Sequence, residues 1–392
     1  MFSNNRIHIA AAALALVAAI VVSCTGTADT EEALAVVVPS PTVPYGSDSQ
    51  FIRITASGEW TLTVQCGGET SWAYFSGSDK TRKAGSGDAN VVLNWDVNTA
   101  QTARKAVLLL ERGSRRETAE LVQNPKQADP IGGDLVSEPV RNWMELPAMA
   151  DDGRYFITHD MSLSGVKVRN YSFYLDTGAK IAVWVAYPLN KGLISSGSGR
   201  TNDWSLDPKV PVAYQANVSS HSFSGYQRGH QLPSADRYAN GANEQTFYGT
   251  NVTPQLQALN ENAWKTLEGY VREWSKKLDT LYVVTGADIS RSTSTVYDND
   301  GKRIAVPNGY FKALLGYKKN AQELGSGQVS GYIGIGFYFE HKGYSESQIM
   351  SQSMTLDALE SKLGYDFFVN LPDKIGSSAA AQVESTKTSW WR

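Results

Sequence analysis

Cysteine is nearly absent from this sequence: Cys24 and Cys66 are the only two in 392 residues. That excludes a cysteine-cluster zinc site. Excess charge of one sign is also missing. Lys+Arg number 36 and Asp+Glu 39, and a cut at residue 130 leaves 11 basic and 13 acidic residues on one side and 25 and 26 on the other. No block of like charge forms a tail for nucleic acid or anionic lipid, so contact with a polyanion has to come from a local patch. The glycine runs "SSGSGR" and "GYIGIG" lack the lysine and the strand–turn–helix setting of a phosphate loop or dinucleotide fingerprint, and there is no GxSxG elbow. The long apolar run at the N-terminus, Ile9 to Val22, is shorter than the roughly 20 residues a membrane span needs.

What is present begins with that run. Arg6, the apolar core and Val21-Val22-Ser23-Cys24 have the order of a signal peptide, and the ending resembles the lipobox of bacterial lipoproteins. The resemblance implies a signal peptide over 1–23, lipidation of Cys24, and anchoring to a bacterial envelope membrane, periplasmic or on the cell surface. With Cys24 acylated, Cys66 has no partner for an internal disulfide. The 10 Trp and 19 Tyr then supply ample apolar mass for cores held by burial alone.

Length suggests two domains behind the anchor. Residues 24–44 are small, polar and proline-punctuated and read as a tether. From 45 to 125 short alternating runs are split by turns, the pattern of an all-β sandwich. Its "GEWTLTV", "GSGDANVVLNWDVN" and "RKAVLLLERGSRRETAELVQNP" resemble BACON-type domains, immunoglobulin-like modules of bacterial surface proteins. Residues 126–149, with Pro130, Gly132, Gly133 and Pro139, read as a linker. In 150–375, strands such as "RNYSFYLD", "KIAVWVAYPL" and "LYVVTGADI" mix with helices near 257–278 and 355–362, without βαβ regularity. That argues for an α+β domain. Residues 376–392 read as a C-terminal tail, with Trp390-Trp391 as packing or tail.

The chemistry concentrates in two segments. "GYQRGHQLPSADR" places His230 after Arg228 and Gly229, between turn residues. Twenty-one residues later, Asn251 to Leu259 reads as a proline-broken loop of amides. An amphipathic helix follows, with Ala263, Leu267, Tyr270, Val271, Trp274 and Leu278 on its apolar stripe. Asn260, Trp264, Glu268 and Arg272, four apart, edge that stripe. Taken alone, Glu268 and Arg272 fit a surface pair and Asn260 a helix N-cap.

Together, "RGHQLPSAD" and "TFYGTNVTPQLQALNENAWKTLE" resemble the DNA/RNA non-specific endonucleases of the ββα-metal class, and the likeness spans 150 to 370. The resemblance implies a mainly antiparallel sheet flanked by helices. It implies His230 as general base, Asn260 as the sole protein ligand of magnesium (manganese as substitute), and Glu268 as a carboxylate holding metal-bound water. It further implies that Asn251 and Gln255 frame the substrate, that Arg200 in "GRTNDW" contacts phosphate with Arg272 as second candidate, and that Arg228 sets the approach of His230 to phosphate. Magnesium prefers oxygen ligands and keeps most of its waters, so one amide ligand suits it. Contacts confined to phosphate imply weak sequence preference, and DNA and RNA are the expected substrates, with no obligate protein partner.

One position departs: the family commonly has an acidic residue before RGH, and here it is Gln227. That difference keeps a second reading open, a surface nucleic-acid-binding or adhesion lipoprotein without turnover. A phosphodiesterase for another phosphorylated polymer is a third. A zinc site built on His159 or His221 is disfavoured, because the spacing of 9 from His221 to His230 fits no ligand pair.

Overall fold

Residues 33–67, 71–100, 102–125, 143–150, 152–163, 165–194, 199–238 and 242–392 are described by the computed structural model of the chain. The expected signal peptide, Cys24 and residues 126–142 of the expected linker lie outside them.

Among the described residues the first domain has nine strands: β1 Leu34–Val37, β2 Thr42–Val43, β3 Asp48–Ala56, β4 Glu59–Cys66, β5 Ala73–Phe75, β6 Arg82–Ser86, β7 Ala89–Trp95, β8 Arg104–Arg112 and β9 Arg115–Gln123. They form two facing sheets, ordered β1-β3-β7-β5 and β2-β9-β8-β4-β6. Alternation explains the core. Ile52, Ile54, Phe75, Leu93 and Trp95 of one sheet meet Leu62, Val64, Leu108, Leu110 and Leu121 of the other. The tether expected over 24–44 is corrected in its described part, 33–44. Its apolar "LAVV" adds β1 to the edge of β3, Val43 is buried, and Ser40 and Gln50 exchange hydrogen bonds of 2.9 Å.

The second domain contains β10 Tyr155–Leu163, β11 Val166–Asp176, β12 Ile181–Leu189, β13 Gln227–His230, β14 Val252–Gln255, β15 Thr280–Asp288, β16 Thr295–Tyr297, β17 Arg303–Ala305, β18 Gly309–Tyr317, β19 Tyr332–Glu340 and β20 Ser353–Met354. Its helices are α1 Lys191–Ile194, α2 Gln257–Leu259, α3 Lys265–Lys277, α4 Leu356–Leu363, α5 Leu371–Ile375 and α6 Ser377–Ser385. An antiparallel sheet, β10-β11-β12-β15-β18-β19-β20, forms the middle layer of this α+β fold. Side chains alternate across it: Ile333, Ile335 and Phe337 of β19 face α3, while Tyr332 and Tyr338 face α4 and α6.

Packing, rather than capping, holds α3. Ala263, Leu267, Val271 and Trp274 are buried against the sheet, at roughly 1.5–3 kcal/mol for each large side chain. Tyr270, expected on that stripe, is 38 % exposed and lies at its edge, its ring tilted against Trp274. On the opposite face the "GYIGIG" glycines let α4 approach. A Cβ on Gly334 would lie 2.7 Å from Leu356 Cδ1, and one on Gly336 would lie 3.0 Å from Leu359 Cβ.

Both ends of the domain extend past the expected boundaries. Met144 and Leu146 are buried in the core beneath α4, and buried Glu145 pairs with Arg169. Residues 376–392 are not a loose tail. They form α6 and a last turn in which Trp391, 1 % exposed, packs on Trp274 and donates to the Gly334 carbonyl at 3.2 Å.

Candidate active site

A short hairpin carries His230 to the end of the sheet. β13 pairs antiparallel with β14, setting Gly229 opposite Thr253 and His230 opposite Val252. Residues 252–255, expected to be loop, are a strand because Pro254 needs no N–H at its place opposite Arg228. The Tyr310 hydroxyl donates to the Pro254 carbonyl at 2.6 Å and ties the hairpin to β18. Gly229 is required sterically: a Cβ there would lie 2.5 Å from Gln255 Cβ.

One of the expected substrate residues, Asn251, serves this scaffold instead. Asn251 is fully buried, and its amide is spent on backbone. Oδ1 accepts from Leu232 N–H at 2.9 Å, and Nδ2 donates to the carbonyls of Leu232 and Thr246 at 2.9 and 2.8 Å. It fixes the turn after His230 and has no atom left for substrate. Gln255 is fully buried under Gly229 and does not line the cleft. His341 secures the next joint. Its Nε2 accepts from Leu256 N–H at 2.8 Å while Nδ1 donates to the Pro307 carbonyl at 2.8 Å.

The helix that follows is interrupted where it meets the hairpin. Asn260–Trp264 makes a π-type turn between α2 and α3, kinked at Asn262 (φ −108°, ψ −107°). Such turns recur at functional sites because the extra residue re-aims side chains. Asn260 is not an N-cap: its backbone is helical and its N–H donates to the Leu256 carbonyl at 2.9 Å. Its Nδ2 donates to Gln227 Oε1 at 2.7 Å. This contact turns the carbonyl oxygen, Oδ1, away from Gln227. Gln227 Nε2 donates in turn to Glu261, which also accepts from Gln257 at 2.9 Å, and these hydrogen bonds lower the carboxyl pKa of Glu261. A carboxylate at 227 could not donate to Glu261. In this chain the negative charge sits on Glu261, and Gln227 links it to Asn260.

The structure brings together Arg200, Arg228, His230, Asn260, Glu268 and Arg272 around one cleft of about 250 Å³, with Glu261 and Lys265 on its rim. His230 Nε2 is buried and unpartnered, so the ring's hydrogen bond to the Arg228 backbone belongs to Nδ1. That fixes the tautomer with the basic lone pair on Nε2. Burial, then the charges of Arg200 and Arg228, push the imidazole pKa down to about 3. Trp204 and Phe247 build the box around it. Their ring centroids lie 5.1 Å from that of His230, Arg228 stacks on Trp204 at 4.1 Å, and Arg200 lies 4.9 Å from Phe247.

The charges opposite are equally constrained. Arg272 pairs with buried Asp236 at 2.9 Å, and Asp236 also accepts from the Tyr187 hydroxyl at 2.9 Å. Removing one partner of such a pair costs about 3–5 kcal/mol, so Arg272 is structural as well as available to the cleft. Glu268 is pushed up to about 7 by burial, against the lowering charges of Lys312, Arg272 and Arg200. Lys312, buried over the Trp264 ring at 4.5 Å, is lowered by the same desolvation.

If the two arginines govern His230, their removal has a definite sign. Arg200→Gln and Arg228→Gln are each expected to raise the imidazole pKa, and the double variant to raise it most. NMR titration of the ring protons checks this, and an unmoved titration would contradict it.

Trp204, Phe247 and Glu261 escaped the sequence reading, although Trp204 stands four residues after Arg200 in the quoted "GRTNDW". His159 is core: buried, 2.8 Å from Asp207 and ringed by Tyr171, Phe173 and Tyr248. His221 is exposed beside Asn299. Among the described residues no group of three His, Cys, Asp or Glu side chains could hold a metal ion. A wider groove of about 850 Å³ crosses β4 and β6, but Trp60 there is 5 % exposed and packed on Gly85.

Comparison with known proteins adds an independent line. The family model for DNA/RNA non-specific endonucleases matches residues 155–374, a span that contains every cleft residue. Mitochondrial endonuclease G of Bos taurus is 32 % identical over 155 residues, covering 37 % of this chain and 52 % of that protein. A nuclease of Nostoc sp. is 29 % identical over 217 residues, covering 55 % and 77 %. A nuclease of Serratia marcescens is 26 % identical over 223 residues, covering 55 % and 79 %. The chain thus spans about half of endonuclease G and over three quarters of the two bacterial nucleases.

Proposed function

The chain belongs to the DNA/RNA non-specific endonuclease family, and from that premise we propose that it hydrolyses phosphodiester bonds within DNA and RNA, using a divalent cation. The observation that carries this reading is the buried, unpartnered Nε2 of His230, a residue that lines the cleft together with Asn260, Glu268 and three arginines.

The donor set fits a hard, water-rich cation. Asn260 offers one neutral oxygen, with Glu268 and Glu261 close by to orient waters, which suits magnesium, or manganese in its place. When bound there, the cation supplies positive charge to the departing 3′ oxygen. The chain's own residues do the rest. Arg200 and Arg228 bind the nonbridging phosphate oxygens. His230 Nε2 takes a proton from the attacking water. In the free protein the imidazole is neutral but weakly basic, as its pKa near 3 requires. A phosphate seated against Arg200 and Arg228 offsets their charges, the part of the lowering that comes after burial, so the base strengthens in that part as substrate arrives. No base edge is read, and cleavage is indifferent to sequence.

The apolar run and Cys24 support, in addition, a lipid-anchored protein at a bacterial envelope membrane, with the sandwich domain between anchor and cleft.

Labelled linear DNA and RNA, incubated with the full chain in magnesium and in manganese, test the reading. Fragmentation of both polymers to 5′-phosphorylated products is expected. Retention of intact strands on the protein in both metals would favour a binding module instead.

A further inference from the structure

The sandwich domain touches the second domain at a joint that leads into the cleft. Phe51 N–H of β3 donates to the Asp300 carbonyl in the loop between β16 and β17, and Ser49 Oγ donates to the Gly301 carbonyl at 3.1 Å. A Cβ on Gly301 would fall 2.4 Å from Phe51 N, so the two backbones are in contact. Paired charges surround this point. Asp48 pairs with Lys180, and Arg53 with Asp300 at 2.5 Å, while Lys302 sits 3.2 Å from both Asp298 and Asp300. Asp48, Lys180, Asp298, Asp300 and Lys302 are all buried. Buried charges persist when paired, and the sandwich supplies the carboxylate for Lys180.

The same loop grips the segment that enters the cleft. Asn217 N–H donates to Asp298 Oδ2 at 2.7 Å and Asn217 Nδ2 to Asp300 Oδ2 at 2.9 Å. The next residue, Val218, accepts through its carbonyl from Arg228 Nη1 at 2.9 Å. A continuous line of contacts therefore runs from Arg53 through Asp300, Asn217 and Val218 to Arg228.

We infer that the sandwich domain, through Arg53, positions Arg228 for substrate phosphate and is part of the working cleft. This rests on the proposed reading that Arg228 meets phosphate. Arg53 is a positioning residue: it touches no substrate and acts through the 298–302 loop.

Spatial continuity is not coupling, so the test is a double-mutant cycle in the full chain. Arg53 is half exposed, and Arg53→Glu sets a carboxylate against Asp300 without opening either core. Affinity for a short labelled DNA duplex is measured by anisotropy in EDTA, where no turnover occurs. Arg53→Glu is expected to weaken binding about fivefold, and by less than about 1.5-fold in an Arg228→Ala background. Arg53→Lys is expected to restore affinity. Arg53→Ala, which removes the pair without adding repulsion, should weaken binding in the same background-dependent way. An equal loss in both backgrounds would mark general repulsion of DNA by the added charge and overturn the inference, as would no loss at all. Failure of the unmodified chain to cleave in magnesium, while the cycle still shows coupling, would overturn the nuclease reading and leave the joint standing.

Discussion

His230→Ala is expected to lower kcat by about 10²–10⁴-fold, the range for losing a positioned general base, while affinity for nucleic acid in EDTA stays close to that of the parent. The expectation separates two roles that share the cleft. In the proposed reading Arg200 and Arg228 meet the phosphate and His230 takes a proton through its unpartnered Nε2, since Nδ1 is already engaged with the Arg228 backbone. Steady-state rates beside anisotropy check it. A variant that loses affinity and rate together would show the ring to be packing for Trp204 and Phe247 rather than a base. The substitution should also alter acid stability. The folded imidazole is depressed to about 3, while an unfolded one titrates near its ordinary value of about 6.5. The contribution of His230 to stability is therefore present above about pH 6.5 and lost as pH falls from there toward 3. His230→Ala should flatten that part of the acid-unfolding curve.

The second large effect concerns the cation. Asn260→Ala is expected to lower the affinity for magnesium or manganese by more than about 100-fold, and Gln227→Ala by about 10–100-fold, as removal of a group that orients a ligand does. Calorimetric titration of the metal-free protein reads this without reference to turnover. The ordering follows from the hydrogen bonds. Asn260 offers the oxygen, and Gln227 holds its amide nitrogen at 2.7 Å and links it to Glu261. Equal affinity in the parent and in Asn260→Ala would remove the cation from this cleft. A Gln227→Ala effect as large as that of Asn260→Ala would mean that orientation, rather than the ligand itself, dominates binding.

How much of this was legible in the sequence depended on whether a feature leaves a periodic or chemical trace. Helix α3 did, because its buried residues recur every three to four positions. The long strands did, because apolar runs bounded by turn residues exceed what a loop would carry. Arg200, Arg228, His230, Asn260, Glu268 and Arg272 were named from motif order, and the structure sets them around one cleft. Asn251 was misread because its letter does not show where its amide is spent. An amide spent on backbone carbonyls and one offered to a ligand look identical in a string of letters, and only the 2.8–2.9 Å contacts of Asn251 tell them apart. β14 was read as loop because Pro254 argues against a central strand, and the pairing that tolerates it is not local. β1 and α6 were read as tether and tail because short apolar stretches become structure only against a distant partner, β3 in one case and β19 with α4 in the other. The joint between domains was invisible for the same reason: Asp48 and Lys180 are 132 positions apart.

Circular plasmid DNA tests the central claim most directly, because a circle has no ends and every cut is internal. The full chain, at neutral pH, is incubated with supercoiled plasmid in magnesium and in EDTA. Relaxed and linear forms, followed by fragments, should appear only with the metal. Plasmid that stays supercoiled in magnesium while bound to the protein would contradict the account and leave the cleft a binding site.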